Sequence, residues 1–212
     1  LGVVNRDFEN WFDRMNPWPV EEEIPEVHLP RPGHADLPGV WKYGFSDVRN
    51  VLERASARET AARVAGGAIA KALLSALGVE VRSHVTSIGT VTAPVRNELT
   101  LADFDQVDAS PVRCLDADAS DAMVEEINVL RKRNESIGGT FEVRVFGLVP
   151  GLGSHVSWED RLDGRLAQAV MSIQAIKGVG IGEGWDLAAK PGSEAHDEVF
   201  FDDDRGYWRE TN

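Results

Sequence analysis

Two short segments carry the residues best suited to bind an anion and to move a proton. In the first, residues 54–60, Ser56 and Glu59 have the spacing of a capping box at the start of a helix. A helix N-terminus presents unpaired N–H groups, and Arg54 and Arg58 add guanidinium groups that bind phosphate or carboxylate. The segment therefore indicates an anion site, although a capped helix with solvated arginines fits the same spacing.

The second segment, residues 31–36, reads Arg-Pro-Gly-His-Ala-Asp. Histidine titrates near neutral pH, so His34 can donate or accept a proton in a site. Pro32 and Gly33 would fix the backbone and permit the close approach of a ligand. The alternative is a loop histidine whose ring is satisfied by Asp36 or by solvent.

Glycine occupies every second position from Gly178 to Gly184. This spacing is not that of a dinucleotide-binding loop, and no helical pattern follows it, so we exclude such a loop. We expect a glycine-broken strand over 179–185, with a face that another backbone or a flat ligand can approach.

The remaining candidates favour structural roles. Residues 196–198 and 202–204 match neither a calcium loop nor a zinc motif, so we predict a solvated acidic tail and no metal site. The single cysteine, Cys114, excludes an intramolecular disulfide. A structural thiol in a reducing compartment fits it.

Composition bounds the classes of function that these residues can serve. The 212 residues include 22 Lys+Arg and 35 Asp+Glu, a net charge of −13, which argues against a nucleic-acid binder. Surface charge is screened beyond about 8 Å, so a few placed arginines can still bind a small anion. No apolar run approaches the roughly 18 residues of a membrane span. We expect one cytoplasmic domain over residues 1–212.

Apolar periodicity and turn residues then predict the elements that position these groups. Residues 1–40 hold six prolines, which favours an extended segment or long loop. The predicted elements are a helix from Ser56 that stops at Gly78, a strand over 79–91, a helix from Ser120 to about 134, a strand over 140–149, a helix over 159–175, and a polar, loop-like tail from Gly192.

Taken together, the segments resemble the chorismate synthase family. The resemblance is carried by residues 31–36 (RPGHAD), 42–44 (KYG), 53–70 (ERASARETAARVAGGAIA), 151–153 (GLG), 160–163 (DRLD) and 171–179 (MSIQAIKGV). It implies an α+β fold in which helices pack on antiparallel β-sheets in layers, and assembly as a homotetramer when the chain is full length.

The resemblance also implies a reaction. The family eliminates phosphate and a ring hydrogen from 5-enolpyruvylshikimate 3-phosphate to give chorismate, in the shikimate pathway of aromatic amino acid biosynthesis. It requires reduced FMN although the overall reaction is redox-neutral, and NADPH is a candidate reductant of the flavin.

Site residues follow by position. His34 matches a catalytic histidine that protonates the reduced flavin. The other matching residues are Arg31 and Arg58 for the substrate's anionic groups, and Arg54, Ala55, Ser56, Gln174 and Ala175 for the flavin. The family normally carries Ser at position 55 and Asn at position 174, so the resemblance implies backbone contacts there rather than the same side-chain contacts.

Family members extend beyond both ends of this sequence. The segments not found here include an N-terminal Gly-Glu-Ser-His-Gly with a second catalytic histidine, and C-terminal Lys-Pro and Arg-Asp motifs. We therefore interpret the chain as an internal fragment, incomplete at both ends, that binds FMN weakly and turns over little.

Two alternatives remain open. One is a non-catalytic remnant that keeps only the fold and subunit interfaces. The other is an unrelated phosphate-binding module built on the capped helix, which would leave His34 far from Arg58 in space. We expect instead that these two side chains line one cleft.

Overall fold

The computed structural model describes residues 2–6, 8–13, 16, 18–19, 24–52, 54–55, 59–96 and 98–209. The chain divides into two compact units, which we call the terminal unit (Leu1–Ala62 with Gly151–Asn212) and the central unit (Arg63–Pro150). The single domain expected from the sequence stays a prediction.

Helices and antiparallel strands both contribute to the chain. The described helices are α1 (Phe8–Trp11), α2 (Asp36–Tyr43), α3 (Arg49–Leu52), α4 (Glu59–Ala76), α5 (Ala117–Lys132), α6 (Leu162–Met171) and α7 (Gly192–Ala195), with 3-10 helices at Leu101–Ala109, Trp158–Asp160 and Gly184–Ala189. The strands are β1 (Glu80–Ile88), β2 (Val91–Thr92), β3 (Gly139–Phe146), β4 (Val199–Asp202) and β5 (Gly206–Arg209). None of the helices in the described part of the chain combines the length and the hydrophobicity of a membrane span.

The central unit is built on a three-stranded antiparallel sheet in the order β2-β1-β3. Successive side chains of a strand point to opposite faces, so Val85 and Phe146 lie on different sides of this sheet. Val85 packs against a core of Cys114, Ala119 and Met123, whereas Phe146 packs against a cluster that includes Phe104. Both faces of the sheet therefore bury apolar side chains.

Helix α4 confirms the strongest prediction from periodicity. Gly78 ends it in the left-handed conformation (φ +79°), with Val79 N–H donating to the Leu74 carbonyl and Gly78 N–H to that of Ser75. This pair of hydrogen bonds is the Schellman motif. The proposed cap, Ser56, lies outside the described residues.

The apolar stripe of α4 is open to solvent in this chain. No residue of the helix is buried, and Val64, Ile69 and Leu73 are exposed by 60–71%. The sequence predicted a small-residue stripe suited to close packing against a neighbouring element, and the described residues show no such burial.

Two boundary predictions in the central unit were wrong. The strand over 79–91 is interrupted at Gly89 (φ +57°), whose N–H donates to the Gly138 carbonyl, so β1 and β2 form a hairpin. Helix α5 begins at Ala117 rather than at Ser120, because the Asp116 carboxylate accepts from the Ala119 N–H at 2.9 Å.

The predicted strand over 140–149 is present as β3 but ends at Phe146. Phe141, Val143 and Val145 share one face, as the alternation indicated. Gly147 ends the strand in the left-handed region (φ +74°), where a side chain would collide with the Gly78 carbonyl oxygen.

The terminal unit departs from prediction near its start. Residues 1–40 were expected to be extended, but α1 lies within them and α2 begins at Asp36. Pro38 does not prevent this helix because it sits in the first turn, where no backbone N–H needs an internal acceptor.

Three further predictions in the terminal unit differ from the structure, the first of them only in its bounds. The helix over 159–175 is a 3-10 turn followed by α6, since Arg161 has extended backbone between them. Residues 179–185 form no strand; the Trp185 ring lies against Gly178 and Gly180. The tail contains α7 and the β4–β5 hairpin, in which Phe200 stacks on Trp208 with 5.6 Å between ring centroids.

Candidate functional site

Arg31 and Asp36 form a closed ion pair at the start of α2. The guanidinium donates from Nε to Oδ2 at 2.9 Å and from Nη2 to Oδ1 at 3.0 Å, and the Arg31 backbone N–H donates to Oδ2 at 2.8 Å. Hydrogen bonding by Arg31 holds the pKa of the Asp36 carboxyl below its ordinary value, against the opposing effect of burial. The buried carboxylate thus fixes a partly exposed arginine.

His34 lies in the loop between these two residues and is exposed. Its Nδ1 is 3.0 Å from the Pro32 carbonyl oxygen, and a carbonyl can only accept, so Nδ1 carries a proton. The neutral ring therefore presents Nε2 as an acceptor, and the protonated ring presents it as a donor. The alternative from the sequence was a ring satisfied by Asp36 or by solvent; Asp36 is bound by Arg31 instead, and the exposed ring faces solvent.

Packing of α2 on α3 joins the His34 loop to the next predicted segment. A Cβ at Gly39 would lie 2.5 Å from a methyl group of Val51, which shows how closely the two helices approach. The chain leaves α3 through N–H bonds of Arg54 and Ala55 to the Val51 carbonyl. One helix pair therefore connects the His34 loop with Arg54 and Ala55, the described start of the second segment.

Ser56 and Arg58 lie outside the described residues. The cleft shared by His34 and Arg58 accordingly stays a prediction.

Asp47 supports this helix pair and was missed from the sequence. Its carboxylate accepts from the Arg49 side chain and N–H and from the Val27 N–H. Hydrogen bonding by Arg49 lowers the pKa of Asp47 to about 2. An aspartate two residues before a helix is the available signal, because its carboxylate commonly binds nearby backbone N–H groups.

The Gln174 side chain reaches the first residue of α4. Its Nε2 donates to Oε2 of Glu59, across 115 positions of sequence. Gln174 Oε1 is buried and has no hydrogen-bond partner among the described residues. Ala175 follows in the left-handed region (φ +68°), which is rare for a residue other than glycine and recurs at ligand-binding sites.

Gln174 and Arg54 carry groups that can bind an anionic, hydrogen-bonding ligand. An unpartnered buried amide oxygen provides an acceptor for a ligand N–H or O–H, and Gln174 supplies one. Arg54 is exposed and provides a cation for a phosphate. The structure connects the two predicted flavin segments through Glu59, which sequence reasoning assigned only to a helix cap.

A cavity of about 660 Å³ in the terminal unit is formed by two motifs that lie apart in the sequence. Its lining includes Gly151–Gly153, Arg161 and Asp163. Arg161 donates from Nη2 to Oδ2 of Asp163 at 2.8 Å, and this hydrogen bond lowers the pKa of the Asp163 carboxyl. Residues 151–153 and 160–163 therefore meet in space.

Comparisons with known proteins identify the family. The profile described as chorismate synthase matches residues 1–212. A chorismate synthase of Alkaliphilus metalliredigens is 51% identical over 99% of this chain and 55% of its own length. One from Desulforudis audaxviator is 53% identical over 100% of this chain and 55% of its own length.

A solved structure agrees with these matches. The crystal structure of a chorismate synthase superposes with a TM-score of 0.77 at 44% sequence identity, over 84% of this chain and 55% of that chain. The chain thus spans about half the length of the relatives that it matches.

Proposed function

This chain belongs to the chorismate synthase family, and we propose that it contributes to the reduced-FMN-dependent elimination of phosphate from 5-enolpyruvylshikimate 3-phosphate, which yields chorismate. The enzyme class that we propose is the carbon–oxygen lyases that act on phosphates. The observation that carries the proposal is the family match along residues 1–212.

Arg31 would bind an anionic group of the substrate. The substrate carries two carboxylates and a phosphate, and removing such charges from water is unfavourable unless cations pair with them. Because Asp36 holds the Arg31 guanidinium through two side-chain bonds, the arginine is oriented before a ligand arrives. An oriented donor loses less conformational entropy on binding. Arg58 is proposed for the same task on the family resemblance alone.

His34 would handle a proton at Nε2. Its Nδ1–H is committed to the Pro32 carbonyl, which fixes the ring orientation and leaves Nε2 directed elsewhere. General acid–base groups of this kind contribute roughly 10²- to 10⁴-fold to rate.

The flavin would be held by Arg54, Ala55, Ser56, Gln174 and Ala175. When bound, reduced FMN supplies an electron and recovers it, so the overall reaction is redox-neutral. The unpartnered Gln174 Oε1 and the exposed Arg54 support this assignment. Alanine at position 55 and glutamine at position 174 differ from the family's usual serine and asparagine.

The family also supports the wider setting that we propose. The whole protein would form a homotetramer in the cytoplasm, with NADPH as a reductant of the flavin. A net charge of −13 favours a small-molecule ligand over nucleic acid.

A chimera tests the proposal. This chain replaces the matching segment of the 51% identical A. metalliredigens chorismate synthase. Phosphate release from 5-enolpyruvylshikimate 3-phosphate is then measured anaerobically with reduced FMN. We expect turnover by the chimera and little or none by the isolated chain.

A chimera that folds and binds FMN, yet releases no phosphate, would contradict the proposed activity. That result would favour the alternative of a catalytically incomplete fragment that retains fold and subunit interfaces.

A further inference from the structure

The hydrogen bond between Gln174 and Glu59 has only one possible direction. A carboxylate is an acceptor, so the NH₂ end of the Gln174 amide must face Glu59. The oxygen end then points away from Glu59, and this is the atom that is buried without a partner among the described residues. The amide orientation therefore follows from chemistry.

We propose that Glu59 is a positioning residue for the flavin site. It fixes the Gln174 amide so that Oε1 presents an acceptor, and the flavin group that meets it must be an N–H or O–H donor. This inference rests on the proposed function. It adds Glu59 to the site and states that the flavin group beside Gln174 Oε1 is a hydrogen-bond donor. The family resemblance supplies neither point.

Hydrogen bonds hold the backbone around Gln174. The rotation of the side-chain amide is therefore what Glu59 fixes. Ser172 N–H donates to the Gln168 carbonyl at 3.0 Å, and Ile173 N–H to that of Val170 at 3.0 Å, which ends α6 in a fixed turn. Ile176 N–H donates to the Ile173 carbonyl at 3.2 Å, spanning Gln174 itself. These bonds hold the main chain on both sides of Gln174, but none of them orients its side chain.

An unpartnered amide oxygen also requires explanation in its own right. Burying an acceptor without a hydrogen bond is unfavourable, and such groups are rare in folded proteins. Without Glu59, a rotation of the amide could exchange its donor and acceptor ends. With Glu59 in place, the exchange would set an amide oxygen against a carboxylate oxygen, so the acceptor stays available to a ligand.

The test compares Glu59→Ala with Glu59→Gln, and uses Glu194→Ala, an exposed carboxylate on α7, as the control. FMN affinity is measured by flavin fluorescence in the isolated chain and in the chimera. We expect Glu59→Ala to weaken binding roughly tenfold, the loss of about one hydrogen bond. Glu59→Gln keeps an acceptor and should recover part of the affinity, and the control should match wild type.

A double-mutant cycle separates positioning from general support. Gln174→Met should weaken FMN binding as much as Glu59→Ala does, and the double variant should lose no more, because the two residues act as one unit. Unchanged affinity in Glu59→Ala, or losses that add in the double variant, would overturn the inference.

A ligand-free readout distinguishes failure of this inference from failure of the proposed function. In the wild-type chain, the side-chain NH₂ resonance of Gln174 should be protected from solvent exchange, and Glu59→Ala should remove that protection while Glu59→Gln retains most of it. If neither the isolated wild-type chain nor the wild-type chimera binds FMN, the proposed function fails and the inference fails with it. If FMN binds and the resonance is identical in all variants, only the role of Glu59 is refuted.

Discussion

Gly39 of α2 lies against Val51 of α3 so closely that a methyl group at position 39 would sit 2.5 Å from the valine side chain. This approach is what allows α2, which follows the His34 loop, to pack on α3, which precedes Arg54. The distance between the His34 loop and Arg54 therefore depends on the absence of a Cβ at position 39.

Gly39→Ala should destabilise the protein by about 1–3 kcal/mol, the usual cost of overpacking, despite the roughly 1 kcal/mol by which alanine favours a helix over glycine. Urea unfolding measures the change. Adding Val51→Ala should restore part of the loss by making room. As the control, Gly66→Ala in α4 meets no atom within 4 Å and should be neutral or stabilising; equal losses at both glycines would contradict the packing argument.

Asp36→Asn should lower the free energy of unfolding by about 3 kcal/mol, because it removes the buried charge that binds the Arg31 guanidinium. The comparison is Asp163→Asn, which breaks an exposed pair with Arg161 and should cost much less. Thermal and urea denaturation of both variants give the difference. A larger loss for Asp163→Asn would show that burial of Asp36 does not control the effect.

Acid should weaken the protein partly through Asp47. Hydrogen bonding by Arg49 lowers its folded-state pKa to about 2, whereas the pKa of an unfolded aspartate is about 3.9. The folded state therefore binds fewer protons in this window, so the contribution of Asp47 is complete above about pH 4 and is lost as the pH falls toward 2.

Asp47→Asn should flatten the decline of unfolding free energy between pH 4 and 2, measured by urea titration at each pH. The exposed Asp203→Asn serves as a reference variant, and it should retain the wild-type slope. An Asp47→Asn slope that equals the wild-type slope would remove Asp47 from the acid response.

His34→Ala in the chimera should reduce turnover about 100-fold or more, since it deletes the proposed proton carrier. His34→Ala should reduce FMN affinity less than Arg58→Ala reduces substrate affinity. His28 is a matched control, because it is also exposed and its Nδ1 lies 3.2 Å from a backbone carbonyl, that of Ser46. Similar rate losses in His28→Ala and His34→Ala, or the reverse pattern of affinities, would count against these roles.

Neighbouring residues in the sequence correctly predicted a helix end where that end depends only on those residues. The stop of α4 at Gly78 needs only a residue that tolerates positive φ, and glycine does. The start of α5 was mistaken because both Asp116 and Ser120 are good caps. Ser120 is instead buried, with its Oγ 2.8 Å from that of Ser110, and this contact comes from tertiary packing.

The candidate site shows the same division. The motif at residues 31–36 marked His34 and Arg31, but Asp36 was considered only as a partner for the histidine. Its complete burial depends on the packing of α2, which a short motif does not reveal. The contact of Gln174 with Glu59 spans 115 positions, so spacing alone could not predict it.

Cys114 gives the molecule a built-in reporter. It is the only thiol in the chain, and it is 4% exposed in a core cluster with Ala119 and the fully buried Met123. A maleimide or disulfide reagent can reach its sulfur only when the surrounding core opens, so labelling rates in the native protein measure the opening of the central unit. The same shielding lets a cysteine introduced on the surface carry a fluorophore without background modification.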